Sequence, residues 1–129
     1  MVKKKSVYKC DVCGNVVESL WNGAGSTLVC CNQPMRELVL NTTDAAKEKH
    51  VPVIVRNGAS VTVKVGEIAH PMTPGHYILF VELLVGDKVL RHDFNEGDTV
   101  AEATFMVEDR NAPLQAREFC NLHGFWGTK

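Results

Sequence analysis

Four of the five cysteines lie near the start of the chain, in two close pairs. Cys10 and Cys13 form a C-x-x-C pair that Gly14 follows, and Cys30 stands directly beside Cys31. A C-x-x-C pair lets both thiolates face one ion, and four thiolates in a tetrahedral arrangement suit zinc or iron. The sequence therefore predicts one metal ion bound by four cysteines.

The adjacent pair Cys30-Cys31 departs from the usual zinc ribbon, in which the second pair also has a two-residue spacer. Neighbouring side chains in an extended strand point to opposite faces, and a disulfide between them requires a distorted peptide. Without a spacer the two pairs cannot make equal angles at the metal, so we expect a distorted tetrahedron. The alternative is that Cys30 is only a buried core thiol.

The fifth cysteine and all the histidines lie further along the chain. Cys120 and His123 form a C-x-x-H pair. His70 and His76 enclose a loop with two prolines, and His50 follows a short polar segment. Imidazole nitrogens suit iron, copper, zinc or nickel, and a thiolate adds strong electron donation. Five ligands are too many for a tetrahedral structural ion, and on a six-coordinate ion they leave one position open for a substrate.

The remaining histidine, His92, lies within a predicted strand and has no ligand-like neighbour, so we leave it out of the predicted site. Any one histidine is more often a surface or core residue than a metal ligand. Four histidines in predicted loops, together with a thiol, are harder to explain without a metal.

Composition limits the partners and the location of the chain. Its 129 residues fit one domain, or one small and one medium unit, and a net charge of −1 indicates neither a nucleic-acid nor a membrane-surface partner. We see no signal peptide and no apolar segment long enough to span a bilayer. We therefore expect a soluble, cytoplasmic protein, in which disulfides are rare and thiolates are available for metal.

Short apolar segments separated by turn residues predict an all-β chain. Val61, Val63 and Val65 alternate with polar residues, as in a half-buried strand, and Asn57-Gly58 is a hairpin signal. The only helix we predict spans 42–49 and is barely two turns long. Strands at this spacing favour a β-sandwich.

The cysteine-bearing hairpins end near residue 38. A unit of that size cannot build a sufficient core and usually needs a metal, disulfides or a partner. We therefore predict a metal-bound domain at 1–38, followed by a sandwich domain at 39–129.

These segments together resemble desulfoferrodoxin, the two-iron class of superoxide reductase. The resemblance covers essentially the whole chain, and the matching segments in order are YKCDVCGNVVE, LVCCNQPM, KEKHVPV, HPM…H and REFCNLHGFW. It implies an all-β fold in which a small desulforedoxin-like domain precedes an immunoglobulin-like β-sandwich. The adjacent cysteines and the CNLHG segment are its most specific parts.

The resemblance also implies two iron ions per chain. One iron would be bound by the four cysteines Cys10, Cys13, Cys30 and Cys31. The other would take four equatorial nitrogens and one axial sulfur, from His50, His70, His76, His123 and Cys120. Glu48 and Lys49 match an E-K-H segment beside the open face of the second iron. We expect Glu48 to cap the open position after oxidation and Lys49 to attract the substrate anion.

The implied activity is the one-electron reduction of superoxide to hydrogen peroxide at a non-haem Fe(II) site, which detoxifies superoxide in an anaerobe or microaerophile. The resemblance implies a rubredoxin-like external electron donor and a homodimer. Three alternatives remain. An electron carrier needs only the four-cysteine site, a zinc-stabilised binding module is colourless, and a dismutase releases oxygen as well as peroxide.

Overall fold

The computed structural model describes residues 2–25, 27–43 and 50–128. Within these ranges the regular secondary structure consists of strands, as predicted, and no helix is long and apolar enough to cross a lipid bilayer. Most of the helix that we predicted at 42–49 falls on 44–49, outside the described residues. The chain divides into two compact units, Met1–Val39 and Leu40–Lys129.

The first unit consists of very short strands. One antiparallel sheet has the order β2-β1-β5, and β3 pairs with β4 in a separate hairpin. The strands are β1 Val7–Lys9, β2 Val16–Glu18, β3 Val29–Cys30, β4 Gln33–Pro34 and β5 Arg36–Glu37. Among the described residues of this unit, the buried apolar side chains are few: Val2, Val7, Tyr8, Cys10 and Leu38. So small a core agrees with a unit that depends on a metal for stability.

The second unit is a sandwich of two antiparallel sheets. One sheet has the order β10-β7-β6 and the other β12-β11-β8-β9. The strands are β6 Pro52–Asn57, β7 Ser60–Val65, β8 Ile78–Val85, β9 Lys88–Asp93, β10 Glu102–Met106, β11 Leu114–Cys120 and β12 Gly124–Gly127. The sequence did not predict β12, because four residues with a glycine at each end carry no strand signal.

The core of the sandwich lies between the two sheets. Val61 and Val63 of β7 are fully buried, as their alternation predicted, and they pack in one cluster with Val81 and Leu83 of β8. Burying each such side chain contributes about 1.5–3 kcal/mol to stability relative to leaving it in water. Cys120, at the end of β11, belongs to the same buried cluster. The core therefore fixes one of the predicted metal ligands directly.

Two tight hairpins join strands of the sandwich, and the first lies where Asn57-Gly58 predicted it. In the first, Asn57 pairs with Ser60 across a two-residue connection. In the second, Val85 pairs with Lys88. Each connection contains a glycine with positive φ, a backbone conformation that glycine adopts without strain.

Candidate metal centres

The sulfurs of Cys10, Cys13, Cys30 and Cys31, called here the four-cysteine cluster, all lie within 4.8 Å of one another. The Cys13 and Cys30 sulfurs are 3.6 Å apart, and those of Cys30 and Cys31 are 3.9 Å apart. A tetrahedral ion with metal–sulfur bonds of about 2.3 Å separates its ligands by about 3.8 Å. The spacing therefore fits one tetrahedral ion, and the four thiols are free of disulfides.

The backbone at Cys31 explains how two adjacent cysteines serve one site. Cys30 ends β3, whereas Cys31 and Asn32 form the two-residue turn to β4. Both turn residues have positive φ, 52° at Cys31 and 63° at Asn32. The opposite-face rule holds only within an extended strand, and this left-handed turn brings the two sulfurs together instead. The reading of Cys30 as a core thiol does not fit, because the residue is half-buried and its sulfur lies among the others.

The Cys10–Gly14 segment forms a sulfur-binding turn. The backbone N–H groups of Cys13 and Val12 point at the Cys10 sulfur, and they lower its pKa to about 7 despite burial. Gly14 closes the turn with a φ of 84° and donates its N–H to the Cys10 carbonyl at 2.9 Å. The pKa of Cys31 is instead raised to about 12, chiefly by a hydrogen bond with the side chain of Cys13. Four thiolates in one place require a cation to become charged together.

The second unit brings together four imidazoles and one thiol, called here the histidine cluster: His50, His70, His76, His123 and Cys120. Successive rings in the order 50, 70, 76, 123 have centroids 5.0, 4.6 and 4.9 Å apart, and 4.7 Å closes the circuit from 123 back to 50. Neighbouring planes are inclined by 65° to 78°. The four rings thus form a closed circuit with nearly equal sides, called here the square.

The nitrogen spacing within this square matches metal coordination. His50 Nε2 lies 3.0 Å from His123 Nδ1. Two ligands at a right angle, each about 2.1 Å from an ion, are separated by about 3.0 Å. Two ligands on opposite sides of such an ion are about 4.2 Å apart. This separation is compatible with the donor atoms of the five residues, which all lie within 4.8 Å of one another.

The sulfur of Cys120 lies at nearly equal distances from two opposite corners of the square. It is 3.6 Å from His70 Nε2 and 3.7 Å from His123 Nδ1, which belong to opposite corners. Cys120 is fully buried, whereas His76 is half-buried and His123 is exposed. The sulfur therefore occupies the inner side of the cluster, and solvent reaches His76 and His123.

An irregularity in the sheet aims Cys120 at the cluster. Phe119 pairs with Phe80, but Cys120 pairs with Ile78, so one residue of β8 is skipped. Such a bulge redirects the side chain next to it. The N–H groups of His123 and Leu122 then point at the Cys120 sulfur, although burial, the largest influence, still raises the pKa of this thiol.

The Cys120 turn repeats the design of the Cys10 turn. In both, the second and third residues after the cysteine direct their N–H groups to its sulfur. A glycine with positive φ follows in both, Gly14 at 84° and Gly124 at 91°. In each metal centre, one cysteine sulfur is therefore held by the same local backbone arrangement of two N–H groups and a following glycine.

Hydrogen bonding prepares His70 to bind through Nε2. Its Nδ1–H donates to the carbonyl oxygen of Pro71 at 2.7 Å, which directs Nε2 toward the Cys120 sulfur. Partners of this kind fix the tautomer of metal-binding histidines. Burial, with smaller contributions from the neighbouring histidines, lowers the pKa of His70 to about 4. The ring is therefore neutral near pH 7, the form that binds metal.

Trp126 is a site residue that the sequence reasoning missed. Its indole stacks on His50 with centroids 4.9 Å apart, and its Nε1–H donates to the His123 carbonyl at 3.0 Å. The only signal in the sequence is an aromatic residue shortly after the last ligand. Phe125 offers the same signal, so spacing alone could not separate the two.

Buried charged residues on β8 and β11 were also missed. Glu82 and Arg117 form an ion pair across β8 and β11, with Arg117 Nε 3.0 Å from Glu82 Oε1. Both side chains are almost completely buried. Glu118 is buried as well, and its charge adds to the rise in the pKa of Cys120. Hydrophobic alternation predicts apolar residues at such positions and cannot anticipate a buried pair.

Three further residues were considered in the sequence: His92, Glu48 and Lys49. His92 lies exposed on β9 and packs against Phe94, with ring centroids 4.9 Å apart, so it belongs to neither cluster. Glu48 and Lys49 fall within 44–49, outside the described residues.

Two family profiles match the chain. The profile described as "Desulfoferrodoxin, N-terminal domain" matches residues 2–38, and the profile described as "Desulfoferrodoxin" matches residues 42–129. The two matches together contain both ligand sets.

Named relatives agree with these profiles. A desulfoferrodoxin from Syntrophotalea carbinolica is 50% identical over 129 residues, covering 100% of this chain and 99% of the relative. The superoxide reductase of Pyrococcus horikoshii is 35% identical over 108 residues, covering 71% of this chain and 94% of the relative. The crystal structure of the superoxide reductase from Treponema pallidum has a TM-score of 0.77 and 34% identity, with 100% of both chains covered.

Proposed function

The chain belongs to the desulfoferrodoxin family, and we propose that it reduces superoxide to hydrogen peroxide at the histidine cluster. One observation carries this proposal: four imidazoles form the square, and a buried thiol lies at nearly equal distances from two of its opposite corners. That arrangement supplies five ligands and leaves the outer side of the square for a small anion.

The donor set fits iron. Imidazole and thiolate together bind intermediate and soft metals, and five donors exceed what a structural zinc takes. When bound, ferrous iron supplies the one electron that superoxide needs. The thiolate of Cys120 would hold the iron from the buried side of the cluster and would donate electron density to it, as thiolate ligands do in haem proteins. The exposure of His123 lets water deliver the two protons that complete hydrogen peroxide.

We propose that Glu48 and Lys49 act at the outer side of the square. Both precede the ligand His50 directly in the sequence. Lys49 supplies a positive charge that attracts superoxide to a chain whose net charge is only −1. Glu48 supplies a carboxylate, a hard donor that would bind the iron once it is ferric.

We assign separate roles to two domains. The domain at 1–38 holds one iron in the four-cysteine cluster, and the domain at 39–129 carries the reductase site. The support is that neither ligand set borrows a residue from the other. The first iron stabilises a domain with few buried apolar side chains, since metal binding contributes directly to the folding of such units.

We also propose a homodimer in the cytoplasm, re-reduced by a rubredoxin-like electron donor. The dimer is supported by the large apolar side chains that the first unit exposes, among them Leu20 at 79% and Trp21 at 75%. Exposed apolar surface of this kind is typical of an interaction site. The cytoplasmic location is supported by five free cysteines, since disulfides are rare there. Light scattering of the purified protein tests the dimer, and a monomer at micromolar concentration would contradict it.

The decisive experiment follows superoxide, peroxide and oxygen together. The purified protein is reduced, mixed with superoxide by stopped flow, and assayed for both products. We expect one peroxide per superoxide and no oxygen. Oxygen at half the superoxide consumed would indicate a dismutase. A colourless protein with zinc in both clusters would indicate the binding module and exclude the reductase.

A further inference from the structure

Asn121 connects two ligand-bearing segments of the histidine cluster. It directly follows Cys120 and precedes His123 by two residues. Its backbone N–H donates to the Tyr77 carbonyl at 3.1 Å, and its Oδ1 accepts the Tyr77 N–H at 2.9 Å. Its Nδ2 donates to the Gly75 carbonyl at 3.2 Å. These partners are the residues immediately before and after His76.

We propose that Asn121 is a positioning residue that holds His76 in register with Cys120 and His123. This inference rests on the proposed function and deepens it. The side chain acts on the metal indirectly, through neighbouring ligands. Its amide forms hydrogen bonds with the residues on both sides of His76. Asn121 therefore supports three of the five donor residues: Cys120, His123 and His76.

The local sheet geometry explains why the side chain is needed. Cys120 pairs with Ile78 at the end of the β8–β11 ladder, so Tyr77 faces Asn121 at the next position. In an antiparallel pair, two facing residues can exchange both N–H···O bonds. The chain turns at residues 121–123 to begin β12. The N–H of Tyr77 is accepted by Oδ1 of Asn121, so a side-chain amide takes the place of a backbone carbonyl.

The segment that Asn121 holds has no strand of its own. His76 lies in a turn that Thr73 closes, through backbone hydrogen bonds of 3.0 and 3.1 Å. Loops of this kind ordinarily move more than the strands they join. A ligand on such a loop needs a link to the rigid sheet, and Asn121 supplies it from the end of β11. Outer partners of metal ligands typically alter metal affinity by about 10–100-fold when removed.

The test measures iron release from the intact, iron-loaded protein. Asn121→Ala removes both side-chain hydrogen bonds. We expect the iron of the histidine cluster to be lost to a chelator about 10-fold faster or more, followed by the decay of its visible band. The matched control is Gln115→Ala on β11, which removes an amide donor to the Thr128 carbonyl. This control should release iron at the unmodified rate.

A second variant separates the two bonds. Asn121→Asp has nearly the same size and keeps an acceptor for the Tyr77 N–H, but it cannot donate to Gly75. We expect its rate of iron release to lie between the rates of Asn121→Ala and of the unmodified protein. Equal release by Asn121→Ala, Gln115→Ala and the unmodified protein would overturn the proposal. If Asn121→Ala does not fold, unmodified release by Asn121→Asp would overturn it.

The same measurements separate this inference from the proposed function. If the unmodified protein holds no iron in the histidine cluster, the proposed function fails. If it holds iron and reduces superoxide, while Asn121→Ala releases iron at the unmodified rate, only the role of Asn121 fails.

Discussion

The indole of Trp126 lies against the imidazole of His50, with ring centroids 4.9 Å apart and planes inclined by 20°. The same indole donates its Nε1–H to the carbonyl oxygen of His123 at 3.0 Å. One side chain therefore supports two ligands of the histidine cluster, the first through its ring face and the second through the backbone.

Replacing Trp126 with leucine should loosen the histidine cluster. The variant loses the ring stack, worth about 0.5–1.5 kcal/mol beyond its buried area, and the hydrogen bond to His123. We expect iron of this cluster to be released about 10-fold faster, while the four-cysteine cluster keeps its spectrum. The matched control is Trp21→Leu, since Trp21 is 75% exposed in the first unit. Identical iron release by both variants would contradict a supporting role for Trp126.

Cys13→Ser should remove the first iron and leave most of the superoxide reduction. The two ligand sets lie in separate units and share no residue. The first unit should lose stability, since its metal contributes to folding. Stopped-flow decay of superoxide with the reduced variant measures the remaining reaction. Complete loss of that reaction would show that the first iron is essential to it.

Cys120→Ser should abolish the charge-transfer colour of the oxidised histidine cluster and most of its activity. A hydroxyl is a much weaker donor than a thiolate and is not ionised at neutral pH. His92→Gln is the control, because His92 lies exposed on β9 and outside both clusters. Visible spectra of the oxidised proteins decide the outcome. An unchanged band in Cys120→Ser would mean that this sulfur does not bind the iron.

Glu48→Ala should shift the oxidised spectrum and barely slow the first encounter with superoxide. The reason is that we propose the carboxylate as a ligand only after the iron is oxidised. Spectra recorded across the neutral pH range, beside the stopped-flow rate of the reduced protein, test both parts. A spectrum that stays unchanged throughout would make Glu48 an ordinary solvated charge.

Lys49→Ala should slow the second-order reaction with superoxide and flatten its dependence on ionic strength. Two unit charges about 6 Å apart, at an effective dielectric constant of about 20, interact by about 3 kcal/mol before solvent screening reduces this figure. A third of that energy, about 1 kcal/mol, changes an association rate several-fold. Rates across a salt series give the measurement.

Lys47→Ala is the matched control for Lys49→Ala. Both changes remove one positive charge from the same short segment. Only the charge next to His50 should affect the reaction with superoxide. Equal rates and equal salt dependence in the two variants would refute a special role for Lys49.

Residue type and spacing were enough to predict which side chains the structure brings together. The C-x-x-C pair and the C-x-x-H pair each carry two donors at a spacing that suits one ion, and the structure clusters the first of them with the adjacent cysteines. The alternation at Val61 and Val63 likewise predicted a buried strand. These patterns are local, so the sequence displays them directly.

The features that the sequence could not reveal depend on the register of distant strands. The skipped residue opposite Cys120 exists only because β8 and β11 pair. Two contacts join segments that are far apart in the chain. Trp126 stacks on His50, and Asn121 hydrogen-bonds the residues next to His76. The left-handed backbone at Cys31 also escaped prediction, because non-glycine residues rarely adopt it.

The spacing of the ligands along the chain also has a consequence for the order in which metal is acquired. All four sulfurs of the first centre fall between residues 10 and 31, on neighbouring short hairpins. The second centre needs residues from 50 to 123, so it exists only after β8, β11 and β12 have paired. Local contacts form faster than distant ones during folding. We therefore expect that a newly made chain can capture its first ion while the second centre is still unformed.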